Sequence, residues 1–412
     1  MTSRERVLKT LSHSQPDRVP IDFGSHRSSG IAALAYNRLR DSLGLPKRPA
    51  KVYDVIQQMA VIEDDVLEIL GPFDTVELGR PFCLDDTGWK EWSLPDGTGC
   101  LIPEHIQVFK RGNDWIMLAP SGKEGGVMKE GMIYFDQTLF PWAEEGSEDF
   151  DSLSKALDDI IWSNLTPPNL REIDFDELSR RAAAFRAETD KAVVGLYGGS
   201  FYETSQFLFR HDRCMTFMAL EPERYKELLE KLLELHIVNA KRFLDAVGPS
   251  IDILQVSDDL GMISGPQISP GMYKELLKPF HGRLYAELKR MRPGIKTLLH
   301  CCGGVRELYE DFIDAGVDSQ NPVQTNCRGM EPEELKREFG GRITFWGGGC
   351  DTARVLPRGT PEEVREHVLR RLEVLAPGGG FVFQQVHNIV ADVPPQNIVA
   401  MFDAVKEFNG TR

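Results

Sequence analysis

The chain has 412 residues, 41% of them hydrophobic and 27% charged, so it can bury a large core and needs no disulfides. Its 48 basic and 63 acidic side chains give a net charge of -15, which disfavours nucleic acid or an anionic membrane as a partner. No apolar signal segment opens the sequence and no later stretch reaches membrane-spanning length, so a cytoplasmic protein is expected, with its seven cysteines free or metal-bound.

Ser3 can cap a short amphipathic helix, RERVLKTLSH, with Val7, Leu8 and Leu11 on one face. Pro16 and Pro20 bracket a turn before a first strand, VPIDF, whose far end GSHRSSG carries His26 and Arg27. Two helical stretches, IAALAYNRLRDSLG and VIQQMAVIEDDVLEILG, precede a second strand, FDTVEL. From Arg80 to Trp142 short alternating segments are separated by the turn signals Asp96-Gly97, Gly112-Asn113 and Ser121-Gly122, the pattern of a small β-rich insertion. Trp89, Trp92 and Trp115 are suited to pack that insertion on the main body. A polar helical region follows, broken at Thr166-Pro167-Pro168.

Strands and helical patterns then alternate regularly: KAVVGLY, IDILQVSDDLG, KTLLHCCGG, VDSQNPVQ, RITFWGGGCD and GFVFQQVHNI. With the first two this makes eight strands, which predicts a single α/β domain over residues 1–412, a (β/α)8 TIM barrel carrying the insertion at 80–142. In such a barrel the reacting groups lie at the C-terminal strand ends, where this chain places Arg27, Tyr197, Glu203, Asp258, Asp259, His300, Cys302, Asn321, Gln324, Cys350 and His387.

Side chains alternate along a strand, so His300 and Cys302 project together while Cys301 points the other way. Two glycines and the start of a helix follow, a setting that favours thiolate. The set His300, Cys302, His387 and Cys350 surrounds one mouth and can supply His2Cys or HisCys2 to a catalytic zinc; the residues alone leave the third ligand open between His387 and Cys350. The competing account makes the cysteines small buried hydrophobes and the histidines hydrogen-bonded core residues. Asp258 and Asp259 offer one carboxylate to the mouth for acid/base or orienting work, or a helix cap. Arg27 suits an anionic group, and Asn321 and Gln324 supply amides to a polar ligand.

Taken together, R-x-R-V-L-x-x-L…P-D-R-V-P, DDLG with Gln267-Ile268-Ser269-Pro270, H-x-C-G, N-P-V-Q, L-P-x-G-T-P-E-E-V and V-P-P-Q-N-I-V-A-M resemble the uroporphyrinogen decarboxylase superfamily over nearly the whole chain outside the insertion. The resemblance implies a single (β/α)8 barrel and one of two chemistries: metal-free decarboxylation of a carboxylated tetrapyrrole, or zinc-dependent methyl transfer with a corrinoid. True decarboxylases carry a run resembling M-R-Q-A-G-R-Y in the first loop, whereas this chain has DFGSHRSSG with Arg27 alone. His300 and Cys302 match the H-x-C of the methyltransferases, and counting back ten residues from Asn397 puts His387 at the position of their third ligand, a cysteine. The resemblance thus implies zinc held by His300, Cys302 and His387 or Cys350. It also implies a corrinoid (cobamide) bound in the mouth or carried by a partner protein, and a small-molecule methyl donor or acceptor. Metal-free decarboxylation of a carboxylated substrate is the alternative.

Overall fold

The computed structural model describes residues 1–78, 88–164 and 174–411. Its centre is a curled parallel sheet of seven strands, labelled here in chain order: β1 (Thr75–Glu77), β2 (Ala192–Gly198), β3 (Ile253–Ser257), β4 (Lys296–His300), β5 (Ser319–Asn321), β6 (Thr344–Trp346) and β7 (Phe381–Val382). Neighbours in sequence are neighbours in space throughout, with helices on the outside, as strand–helix alternation requires.

The expected first strand is reduced to an isolated parallel bridge, Ile21 to Phe383. Asp22 N donates to Phe383 O at 2.8 Å on the β7 side, and Asp74 N donates to Ile21 O at 2.8 Å on the β1 side. This segment therefore links the two edges of the sheet. Two prolines within VPIDF's approach and the short run explain why no longer ladder forms. Side chains reinforce the seam. Asp74, fully buried, accepts from Arg6 Nη1 at 2.6 Å, from Arg18 Nη1 at 2.8 Å and from Ile21 N at 2.9 Å. The arginines of the R-x-R-V-L and P-D-R-V-P motifs act here as clamps.

The N-terminal helix spans Ser3–Leu11 and is capped by Thr2, not Ser3, in a capping box with Glu5. Its Val7 and Leu11 enter a small interior core with Val194, Leu196, Ile253, Leu298, Trp346 and Val382, plugging the sheet's concave side. The L-P-x-G-T-P-E-E-V motif is a second capping box, Thr360 with Glu363, opening helix Pro361–Leu375. Asn397, in the last helix Pro395–Phe408, donates to Leu356 O and Gly359 O and ties that helix to the short helix Val355–Arg358 just before Pro361.

The second predicted helix is a correction. Helix covers only Asp64–Leu70; Ala50–Asp54 and Met59–Ala60 are strands. Met59–Ala60 turns back antiparallel on Ala50–Asp54, whose other partner is remote in sequence: it pairs in parallel with Gly99–Pro103, which pairs antiparallel with Trp89–Ser93. A second sheet of four antiparallel strands runs through Val108–Arg111, Asp114–Leu118, Glu124–Met128 and Asp136–Gln137. Asp96-Gly97, Gly112-Asn113 and Ser121-Gly122 all fall in connections between these strands. Trp92 is buried and meets Trp115 edge-on at 5.2 Å, while Trp89 packs beside Ala32, Tyr53 and Met59. Thr166-Pro167-Pro168 lies outside the described residues.

Candidate metal centre

Register brings the site together. Ser257, His300 and Asn321 are paired across β3, β4 and β5 at the C-terminal edge of the sheet. Beyond that edge opens a cavity of about 370 Å³, a size that suits a small ligand. Arg27, Tyr197, Glu203, Asp259, His300, Cys302 and His387 all line it. Its apolar wall includes Leu157, Ile160, Trp162, Phe207 and Phe243, with Trp162 and Phe207 stacked at 5.8 Å.

His300, Cys302 and His387 present donor atoms that all lie within 4.8 Å of one another. His300 Nε2 and Cys302 Sγ are 3.5 Å apart. Bonds of about 2.0 and 2.3 Å at a tetrahedral angle separate nitrogen from sulfur by about 3.5 Å, so this pair fits zinc. His300 Nδ1 is 3.1 Å from Asn321 Oδ1, which places the ring proton there and leaves Nε2 free to bind a metal. Burial pushes His387 down to about 3, so its ring is neutral, as a ligand must be. Burial first, then the neighbouring Asp259, holds the Cys302 thiol well above its usual range. A thiolate there would require a positive charge, which a divalent cation among these three donors would supply.

The loop carrying Cys302 is held from behind. Asp259 Oδ1 accepts from Cys302 N at 2.7 Å and sits 3.6 Å from His300 Nε2. Gly303 has φ +90°, and its ideal Cβ would stand 2.6 Å from Gly261 Cα. Only glycine permits these two loops to meet so closely. Cys301 is buried and its Sγ accepts from Leu260 N at 3.3 Å, away from the cavity. Burial, with Asp259 and Asp258 nearby, raises the Glu203 carboxyl well above the ordinary glutamate range.

Four residues expected at the site are placed elsewhere. Cys350 is fully buried in the main core, outside the metal group, because Gly347 and Gly348 (φ +106° and +85°) turn the chain after β6. Asp258, fully buried, does not line the cavity. It accepts from the backbone N of Phe201, Tyr202 and Glu203 at 2.7–2.9 Å and meets His281 Nε2 at 3.2 Å, so it caps helix Tyr202–Phe209. Asn321 donates to Trp346 O and Gln384 Oε1, and Gln324 accepts from Gly303 N; both serve the protein and neither lines the cavity. Tyr197 lines it with its ring, its hydroxyl donating to His236 O.

His236 and Ser28 are among the cavity residues that the sequence did not single out. His236, on the long helix Pro222–Val247, bonds Ser200 O at 3.0 Å, and burial lowers it to about 4. Ser28 sits next to Arg27 and bonds Asn321 Oδ1 at 2.5 Å. A histidine mid-helix carries no local sign of facing a strand end, whereas Ser28 lay within a loop already marked by His26 and Arg27.

Residues 163–408 match the model of the protein family described as Uroporphyrinogen decarboxylase (URO-D). The chain is 27% identical over 219 residues to a uroporphyrinogen decarboxylase of Methylococcus capsulatus, covering 53% of this chain and 56% of that one. It is 28% identical over 194 residues to the uroporphyrinogen decarboxylase of Psychromonas ingrahamii, covering 46% and 50%. The chain thus spans about half the length of these curated relatives. Among solved structures, a methyltransferase from Methanosarcina mazei aligns over 99% of both chains with a TM-score of 0.58 and 18% identity, a likeness of fold. No helix among the described residues is long and apolar enough to cross a membrane.

Proposed function

The chain belongs to the uroporphyrinogen decarboxylase family, and from that premise we propose that it is a zinc-dependent methyltransferase, moving a methyl group between a small methylated substrate or thiol and a corrinoid. In this reading the seven strands and the Ile21 segment together make the (β/α)8 barrel, with the stretch 80–142 as its insertion. The observation that carries the proposal is the convergence of His300, Cys302 and His387 on one point of the cavity.

Zinc held by these three residues supplies a Lewis acid that lowers a thiol pKa or polarises an oxygen or sulfur, and the corrinoid supplies the methyl carrier. Asn321 keeps the His300 proton on Nδ1. Asp259 holds the Cys302 backbone and offers a carboxylate beside the metal group. Arg27 binds an anionic group of the substrate. Glu203 keeps its proton further up the pH scale than an ordinary glutamate and donates a hydrogen bond. Trp162, Phe207, Phe243 and Leu157 exclude water around the transferred methyl.

The decarboxylase alternative calls for cationic groups to hold several carboxylates. Arg27 is the lone Arg or Lys among the described lining residues and shares the cavity with Asp259, so a polycarboxylate finds a single cation there. Elemental analysis of the purified protein, paired with loss of methylcobalamin absorbance in the presence of a thiol, tests the reading. One zinc per chain and thiol-dependent demethylation are expected; a protein that takes up no zinc returns the decarboxylase to first place.

A further inference from the structure

A buried polar chain runs from the loop after Ile21 to His300. Asp22 and His26 are both fully buried, with Oδ2 and Nε2 3.1 Å apart. Asp22 also accepts from Trp346 Nε1 at 2.8 Å and from Thr75 Oγ1 at 2.9 Å. His26 Nδ1 is 2.9 Å from Ser28 Oγ, which is 2.5 Å from Asn321 Oδ1. Neither Asp22, His26 nor Asn321 lines the cavity, so a substrate there meets them only through others.

The directions of these bonds follow from the amide end. Gln384 Nε2 donates to Ser28 O at 2.7 Å, which leaves its Oε1 as an acceptor. Asn321 Nδ2 donates to that Oε1 at 2.9 Å and to Trp346 O at 2.8 Å, so Asn321 Oδ1 is an acceptor too. It receives the Ser28 hydroxyl and the His300 Nδ1–H. With its one proton spent, Ser28 Oγ accepts from His26 Nδ1–H. His26 Nε2 faces two acceptors, Asp22 Oδ2 and Gln384 Oε1, each at 3.1 Å, and therefore donates as well. His26 carries both ring protons, its charge answered by the Asp22 carboxylate, as full burial demands.

We propose that Asp22, His26, Ser28 and Asn321 form a positioning chain for His300. Asp22 holds His26 doubly protonated, His26 turns the Ser28 hydroxyl to Asn321, and Asn321 keeps the His300 proton on Nδ1, leaving the Nε2 lone pair beside Cys302. The last link rests on the zinc reading above.

Nitrogen-15 NMR of histidine-labelled, metal-free protein reads the chain directly. Protons on both His26 nitrogens and on His300 Nδ1, with His300 Nε2 bare, are expected. Asp22→Asn removes one His26 proton and turns the Ser28 hydroxyl back, and zinc affinity measured by chelator competition falls about 10-fold, the low end for partners behind a metal ligand. Ser28→Ala, a milder change, gives a similar fall if Asp22→Asn does not fold. A singly protonated His26 in the unmodified protein, a bare His300 Nδ1, or undiminished zinc affinity in the folded variants overturns the proposal. A parent protein that binds no zinc at all removes the zinc reading and the last link with it, while the His26 and His300 signals still decide the chain.

Discussion

Cys302 and Cys350 are chemically alike and both follow a strand end, yet only Cys302 stands with the histidines. Replacing Cys302 by Ser exchanges a soft thiolate for a hard, normally protonated hydroxyl, so zinc content measured after dialysis should drop to a small fraction of one per chain. Cys350→Ala should keep its zinc and lose about 1–2 kcal/mol of stability in urea unfolding, the cost of a small void in a packed core. Retained zinc in Cys302→Ser, or lost zinc in Cys350→Ala, would reverse the assignment. The contrast also marks what could be read from residues alone. Two-residue alternation put His300 and Cys302 on one face because β4 runs straight into HCCGG, whereas the glycines at 347 and 348 adopt positive φ and break the alternation before Cys350. Adjacent carboxylates were expected to differ, but their surroundings come from remote elements: helix Tyr202–Phe209 claims Asp258 and leaves Asp259 to the cavity.

At the level of elements, Asp258 joins the end of β3 to the start of that helix and so places Glu203 at the cavity wall. Asp258→Ala strands three backbone N–H groups and His281 without their acceptor, and should cost about 3 kcal/mol or more in equilibrium unfolding. Asp258→Asn keeps one side-chain oxygen and should cost less; equal losses would deny the cap its role. Strand–helix alternation was legible because most strands of the parallel sheet, though not the polar Ser319–Asn321, are short apolar runs bounded by loops, and all seven lie where the pattern put them. The strands at 50–60 were not, since VIQQMAVIE carries a helical spacing, its Met59–Ala60 pairs back on Ala50–Asp54, and that strand in turn depends on Gly99–Pro103 about fifty residues on. Tertiary pairing overrode local preference there.

For the molecule as a whole, the seam at Ile21 and the buried histidines set how stability responds to sequence and to pH. Asp74→Ala leaves the largely buried Arg18 without its carboxylate partner and takes one of two from Arg6, which keeps Asp17, and should cost about 3 kcal/mol, read as a lower urea midpoint. The pH response depends on groups whose ionisation differs between folded and unfolded chains. Burial lowers both His236 and His367 to about 4, from an unfolded value of 6.5. Between those values the unfolded chain binds protons that the folded chain refuses. The stability these rings contribute is therefore fully present above pH 6.5 and drains away as pH falls toward 4. Glu203 works in the opposite sense: its raised carboxyl favours the fold below about 4.5 and loses that contribution as pH rises. Near pH 5.5 the histidines dominate, because His387, lowered by burial to about 3, joins His236 and His367 in taking up a proton there on unfolding. Urea unfolding of the metal-free protein should then show stability decreasing from pH 7 to pH 5. In His236→Gln, whose amide can still donate to Ser200 O, the slope should be shallower by the share of one proton, about 1.4 kcal/mol per pH unit at most. A parent profile that is flat across this window, or an unchanged slope in the variant, would show that His236 is already protonated in the fold.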